Sequence, residues 1–226
     1  MGEVLSTSAR TYAYDQRGHG DSAAVPGPMT LARSVDDLVA VGDAVADRVD
    51  LLIGHSWGGA VAILGARRLR ARRVIAIDPM IRVVPGTFES EYVDDLRETL
   101  SLERGLREGA IRAMYAGSHP SDVAGKLHAM MPMTIGALEH LGGDNDVDGG
   151  GWNVRKALEN YPVPLDILAA GVDSVMSADD LAFVRERGGP NVAITVFENE
   201  GHNLQRSAFD RFAAIVLERI GADAQT

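Results

Sequence analysis

Before residue 80 the apolar positions form short, β-branched runs, and between them apolar residues recur every three or four positions. A parallel sheet covered by helices on both faces produces this alternation, so the pattern predicts an α/β chain. Residues 11–14 read as a strand that exits into the polar, glycine-rich Asp15-Gln16-Arg17-Gly18-His19-Gly20-Asp21-Ser22. After a turn at Pro26-Gly27-Pro28, Thr30 can cap a helix whose apolar stripe is Leu31, Val35, Leu38, Val39, Val45 and Val49. Residues 49–53 are the next buried strand, and residues 60–70 form a small-residue helix able to pack close against it. A further strand, 74–77, ends at Asp78-Pro79.

From residue 81 to 161 the rhythm changes to longer amphipathic helices, four methionines (Met114, Met130, Met131, Met133) and a glycine- and aspartate-rich stretch over 142–151. An inserted cap fits this region, with 142–151 as a solvent-exposed link. The methionines suit helix packing and pocket lining equally, because a flexible thioether fills either role. The strand pattern resumes at Leu165–Ala170, followed by Gly171-Val172-Asp173. Ser177-Ala178-Asp179-Asp180 forms a capping-box-like start for a helix running to about Glu186. The last strand covers residues 191–197 and exits through Glu198-Asn199-Glu200-Gly201-His202. Phe209, Phe212, Ile215, Val216 and Ile220 give a closing helix its apolar face. The expected organisation is one core made of residues 1–80 and 162–226, interrupted by a cap at 81–161.

Composition narrows the chemistry. At 226 residues there is room for one well-cored domain. The net charge of -10 would repel phosphate backbones and anionic lipid, which argues against nucleic-acid and membrane partners. With no cysteine, a nucleophile must be a hydroxyl or a carboxylate. No apolar run reaches the length of a membrane span, and the first ten residues lack the basic start and apolar core of a secretory signal, so a cytoplasmic enzyme is expected.

The chemical signal is Gly54-His55-Ser56-Trp57-Gly58-Gly59, set between a predicted strand and a predicted helix. In a nucleophile elbow the serine occupies a strained turn, and small residues two before and two after it prevent clashes. Ser56 is therefore the expected nucleophile, and the Trp57 N–H, at a helix N-terminus, the expected oxyanion donor. A serine hydroxyl needs an imidazole to take its proton, and that imidazole needs an acceptor on its other nitrogen. His202, just past the last strand, suits the role of base. His119, His128 and His140 fall in the expected cap, His19 lies in an earlier loop, and His55, on the strained turn itself, is expected to point elsewhere. For the carboxylate, Asp173 is favoured at the exit of its strand. Asp78 is the rival, though capping the turn before Pro79 would account for it. Asp179 and Asp180 read as helix-start residues.

These segments, in this order, resemble the α/β-hydrolase fold superfamily, in the branch of serine esterases and cofactor-free perhydrolases. The resemblance spans nearly the whole chain and rests on the Asp15–Ser22 loop, the Gly54–Gly59 elbow, Gly171-Val172-Asp173 and Gly201-His202-Asn203. It implies a mostly parallel sheet flanked by helices, an inserted cap, and Asp15 and Arg17 as structural loop residues near the site. Similar dehalogenases and epoxide hydrolases use an aspartate nucleophile, so Ser56 argues against both. Neither a metal nor an organic cofactor is implied. The expected reaction is hydrolysis of a small-molecule carboxylic ester through an acyl-enzyme. Perhydrolysis or carbon–carbon cleavage by the same triad, or an inactive binding scaffold, are the alternatives.

One departure stands out. Similar proteins carry a strand and an oxyanion loop beginning with His-Gly ahead of the Asp15 motif, whereas here only ten residues precede Thr11, and residues 2–10 resemble the tail of what normally follows that loop. That strand would lie between 11–14 and 49–53, so its loss opens the middle of the sheet. The expectations, in order, are an in-frame upstream continuation, a segment supplied by another chain with self-association through the incomplete sheet, and direct pairing of the flanking strands. Loss of one oxyanion donor would cost ~3 kcal/mol, about a hundredfold in rate.

Overall fold

The computed structural model describes residue 5 and residues 7–24, 27–147 and 151–223. Residue 26 of the expected turn and residue 25 before it, 148–150 of the expected link, and residues 2–4 and 6 near the start lie outside the described residues.

The main sheet has four parallel strands, β1 (Leu51–His55), β2 (Arg73–Ile77), β5 (Leu165–Ala170) and β6 (Val192–Phe197), in the order β1-β2-β5-β6. A separate ribbon joins β3 (Arg82–Val83) and β4 (Trp152–Asn153). In chain order the main helices are α1 (Leu31–Val45), α2 (Trp57–Gly65), α3 (Glu91–Ser101), α4 (Arg104–Met114), α5 (Pro120–Met130), α6 (Ile135–Gly142), α7 (Ala178–Arg187) and α8 (Phe209–Asp223). Parallel strands paired on both edges and covered on both faces become uniformly apolar. All six residues of β5 and the last four of β2 are buried accordingly.

Residues 11–14 do not form the predicted strand. A strand needs a partner, and among the described residues the only ladder that β1 makes is with β2. The predicted central strand at 49–53 is thus an edge strand at Leu51–His55, and its Ile53 is 37% exposed. Direct pairing of 11–14 with β1 does not occur.

The chain divides into two compact units, one of residues 1–13, 35–82 and 153–226, the other of 14–34 and 83–152. In the first, alternate residues of the central strands (Ile75, Ile77, Leu168, Ala170) pack with Phe197, Leu204, Phe212, Val216 and Leu5. Strand alternation sends Val74 and Ala76 to the opposite face, and α2 packs on β1 and β2. There the buried Tyr161 hydroxyl donates to the Ile63 carbonyl at 2.6 Å. Asp166, buried within β5, is paired with Arg73 at 3.1 Å and Arg219 at 2.9 Å. The Ser177–Asp180 capping box forms as the local sequence predicts, with both reciprocal bonds present.

The second unit has its own core of Leu96, Leu100, Ile111, Met130, Met133 and Leu138, with Met114 and Met131 packed against it. The four methionines are therefore packing residues of this helical unit. Arg107 ties its helices by donating to the carbonyls of Met131 at 3.1 Å, Met133 at 3.0 Å, and Leu100. The expected link begins as structure rather than solvent-exposed chain, because residues 143–147 continue α6 as a π-helical turn. Buried Asn145 there accepts from the Leu31 N–H and donates to the carbonyls of Met29 and Leu141. Among the described residues no helix is long and apolar enough to cross a membrane.

Candidate active site

The elbow forms where β1 meets α2. Ser56 has φ 57 and ψ -120, a backbone conformation costly for any residue with a Cβ, held by hydrogen bonds on both sides. Its N–H donates to the Ile77 carbonyl at 2.9 Å, and its own carbonyl accepts from Gly59 at 3.0 Å and Met80 at 3.0 Å. The turn is so tight that a Cβ on Gly54 would lie 2.1 Å from the Gly58 carbonyl oxygen. This is the steric reason for glycine two positions before the serine. Trp57 is the first residue of α2. Among the described residues the Ser56 hydroxyl makes no hydrogen bond.

His202 lies in the turn after β6, and its Nδ1 is 2.7 Å from Oδ2 of Asp78. A carboxylate can only accept, so Nδ1 carries the proton and Nε2 is left as the basic nitrogen. The carboxylate bonded to His202 is therefore Asp78 and not the expected Asp173. Asp78 ends β2 fully buried, with φ 37. Besides His202 it accepts from the Ser174 hydroxyl at 2.6 Å, the Val175 N–H at 3.0 Å and the Ala170 N–H at 3.1 Å. Burial by itself raises the Asp78 pKa, but the bonds from His202, Ser174, Val175 and Ala170 outweigh it and hold the carboxyl below its ordinary value.

Asp173 is exposed, in a turn bound through its backbone to the segment before His202. Gly171 N–H reaches the carbonyls of Phe197 and Glu200, both at 3.0 Å, and Val172 N–H that of Glu200 at 3.1 Å. A Cβ on Gly171 would strike the Glu198 carbonyl oxygen at 2.3 Å. The β5 exit thus positions the His202 loop through its backbone and Asp78 through Ser174 and Val175. Sequence reasoning weighed Asp78 as a strand-end acid but had no signal for Ser174 or Val175, which serve it across about a hundred residues of chain.

His55 also differs from expectation. Instead of pointing away, its ring lies 4.4 Å from that of His202, tilted by 38°, and its Nε2 is 2.8 Å from the His202 carbonyl oxygen. Burial and the neighbouring His202 push its pKa down to about 4.

Asp15 and Arg17 belong to the second unit. Asp15 accepts from the Asp21 N–H at 2.9 Å and is 2.7 Å from His128 Nε2, two hydrogen bonds that lower its pKa. Ligating atoms of Asp15, Asp21 and His128 lie within 4.8 Å of one another, a spacing the Asp15–His128 bond itself explains. Arg17 is buried.

A profile of the alpha/beta hydrolase family matches residues 3–215. The chain belongs to the alpha/beta hydrolase family. No curated protein matches it. Solved structures of the same fold include the N-formylmaleamic acid deformylase of Pseudomonas putida S16, with 22% identity, a TM-score of 0.71, and 95% of this chain and 84% of that one covered. An esterase of Exiguobacterium antarcticum shares 18% identity at a TM-score of 0.66, covering 92% of this chain and 80% of its own. A meta-cleavage product hydrolase of Pseudomonas fluorescens IP01 shares 17% at 0.70, covering 98% and 83%. At these identities the likeness is one of fold, and this hydrolase fold is generally that of enzymes.

Proposed function

We propose that this hydrolase cleaves carboxylic esters through an acyl-enzyme, with Ser56 as nucleophile, His202 as base and Asp78 as the acid that orients it. The observation that carries the reading is the 2.7 Å pair of buried Asp78 with half-buried His202, formed at the same strand ends as the Ser56 elbow. In this reading His202 Nε2 takes the hydroxyl proton while Ser56 Oγ bonds to the ester carbonyl carbon, and the Trp57 N–H receives the oxyanion. The C–O bond then breaks as His202 returns the proton to the leaving alcohol. Water repeats the cycle on the acyl-enzyme, releasing the acid and restoring Ser56. Asp78 stays ionised throughout and stabilises the imidazolium.

The test is stoichiometric labelling by a fluorophosphonate together with alcohol release from short acyl esters. Wild type should label at Ser56 and turn over, and Ser56→Ala should do neither. Equal rates for the two clean preparations would defeat the proposal. Labelling without ester turnover would redirect it to carbon–carbon cleavage or perhydrolysis by the same serine. No labelling would leave a hydrolase-like binding scaffold.

A further inference from the structure

His55 immediately precedes the nucleophile, yet its side chain is spent on the loop that carries the base, 147 residues further along the chain. The acceptor is a main-chain carbonyl, which can only accept, so Nε2 must carry the proton of the His55 ring. We propose that His55 is a positioning residue, a strut from the nucleophile elbow to the His202 loop that sets the base relative to Ser56 by donating Nε2–H to the His202 carbonyl. This rests on the assignment of Ser56 and His202 as nucleophile and base.

Two further features support the role. Backbone bonds anchor the loop at Glu200 before His202 and at the Asn203 carbonyl after it, and the His202 carbonyl between them is held by His55. The Asp78 bond fixes the imidazole at Nδ1, while the His55 bond fixes the main chain of the same residue, so both ends of His202 are held. The strut must also stay neutral beside a ring that becomes charged in each catalytic cycle. Burial, His202 and Arg206 push the His55 pKa down to about 4, while Asp78 and the bond to the His202 carbonyl oppose the shift without cancelling it. It is therefore uncharged at neutral pH.

The test compares His55→Phe, which keeps a ring but has no donor, with His55→Gln, whose amide nitrogen can occupy the place of Nε2. Acylation by a fluorophosphonate and kcat for a short acyl ester should fall about tenfold to a hundredfold in His55→Phe with KM little changed, because misplacement of a catalytic group costs the transition state. His55→Gln should stay within about threefold of wild type. A merely space-filling His55 predicts the reverse order, with Phe better tolerated than Gln, and that result overturns the proposal. The low-field proton resonance of His202 Nδ1–H reads the same role without any turnover. It should be sharp in wild type and His55→Gln and broadened by exchange with water in His55→Phe; three identical spectra would overturn the proposal. Wild type inert to both reagents would sink the ester hydrolase reading while the spectra still decide the strut. Should His55→Phe not fold, His55→Asn, whose amide falls short of the carbonyl, takes its place in both measurements.

Discussion

The exits of β2 and β5 begin alike and end differently. Each carries an aspartate with positive φ, Asp78 at 37 and Asp173 at 49, in a turn at the same end of neighbouring parallel strands. Asp78 is fully buried and takes four hydrogen bonds, one of them from His202, whereas Asp173 is exposed. The β5 exit is nevertheless essential to the arrangement, because its Ser174 hydroxyl and Val175 N–H neutralise half of the buried carboxylate's demand for donors. A buried charge persists only when such donors surround it. The aspartate that bonds His202 is thus the one whose neighbours supply donors for a buried charge, and position at a strand end does not select it.

Exchanging the carboxylates one at a time is the sharpest way to break this comparison. Asp78→Asn should lower kcat/KM for a short acyl ester by about 10⁴-fold, the size of loss seen when a triad carboxylate becomes an amide and the histidine takes the wrong tautomer. Asp173→Asn should stay within about threefold of wild type, as an exposed polar change does. Steady-state kinetics on the two purified variants decides; the opposite ranking would restore Asp173 as the acid.

Acid unfolding should show a smaller effect with a defined sign. The pKa of His55 falls from 6.5 to about 4 on folding, so between those values the unfolded chain binds a proton that the native protein does not. Stability therefore rises with pH through that window and falls as pH drops toward 4, by a total on the order of 3 kcal/mol. Asp78 acts lower down: its native pKa lies below 3.8, so the stability it contributes is present above 3.8 and is lost as pH falls further. Urea denaturation at a series of pH values measures both. His55→Gln should flatten the upper window and leave the lower one.

The smallest effect is expected at the support. Ser174→Ala removes one of four donors from Asp78. A hydrogen bond to a charged group is worth about 1.5–3 kcal/mol, so kcat/KM should fall by about tenfold and the acid limb of its pH profile should shift. Ser174→Thr, which keeps a hydroxyl, should recover most of the loss. An unchanged pH profile in Ser174→Ala would mean that the three remaining donors suffice.

What the sequence determined by itself is what depends on neighbours a few residues apart. The alternation of apolar runs specified an α/β chain, Ser177 and Asp180 specified a helix start, and Gly54 with Gly58 and Gly59 around Ser56 specified a strained turn between strand and helix. In each, the residues that interact are adjacent in the chain, so their spacing carries the geometry. Tertiary structure decided what requires a distant partner. Residues 11–14 have the composition of a strand but form none. Asn145, in a stretch that reads as a link, is buried by bonds to Met29 and Leu31. Which carboxylate bonds His202 is likewise a property of the fold: Asp78 lies 124 residues away and Asp173 is closer in sequence, yet the imidazole at the β6 exit meets Asp78 at the β2 exit.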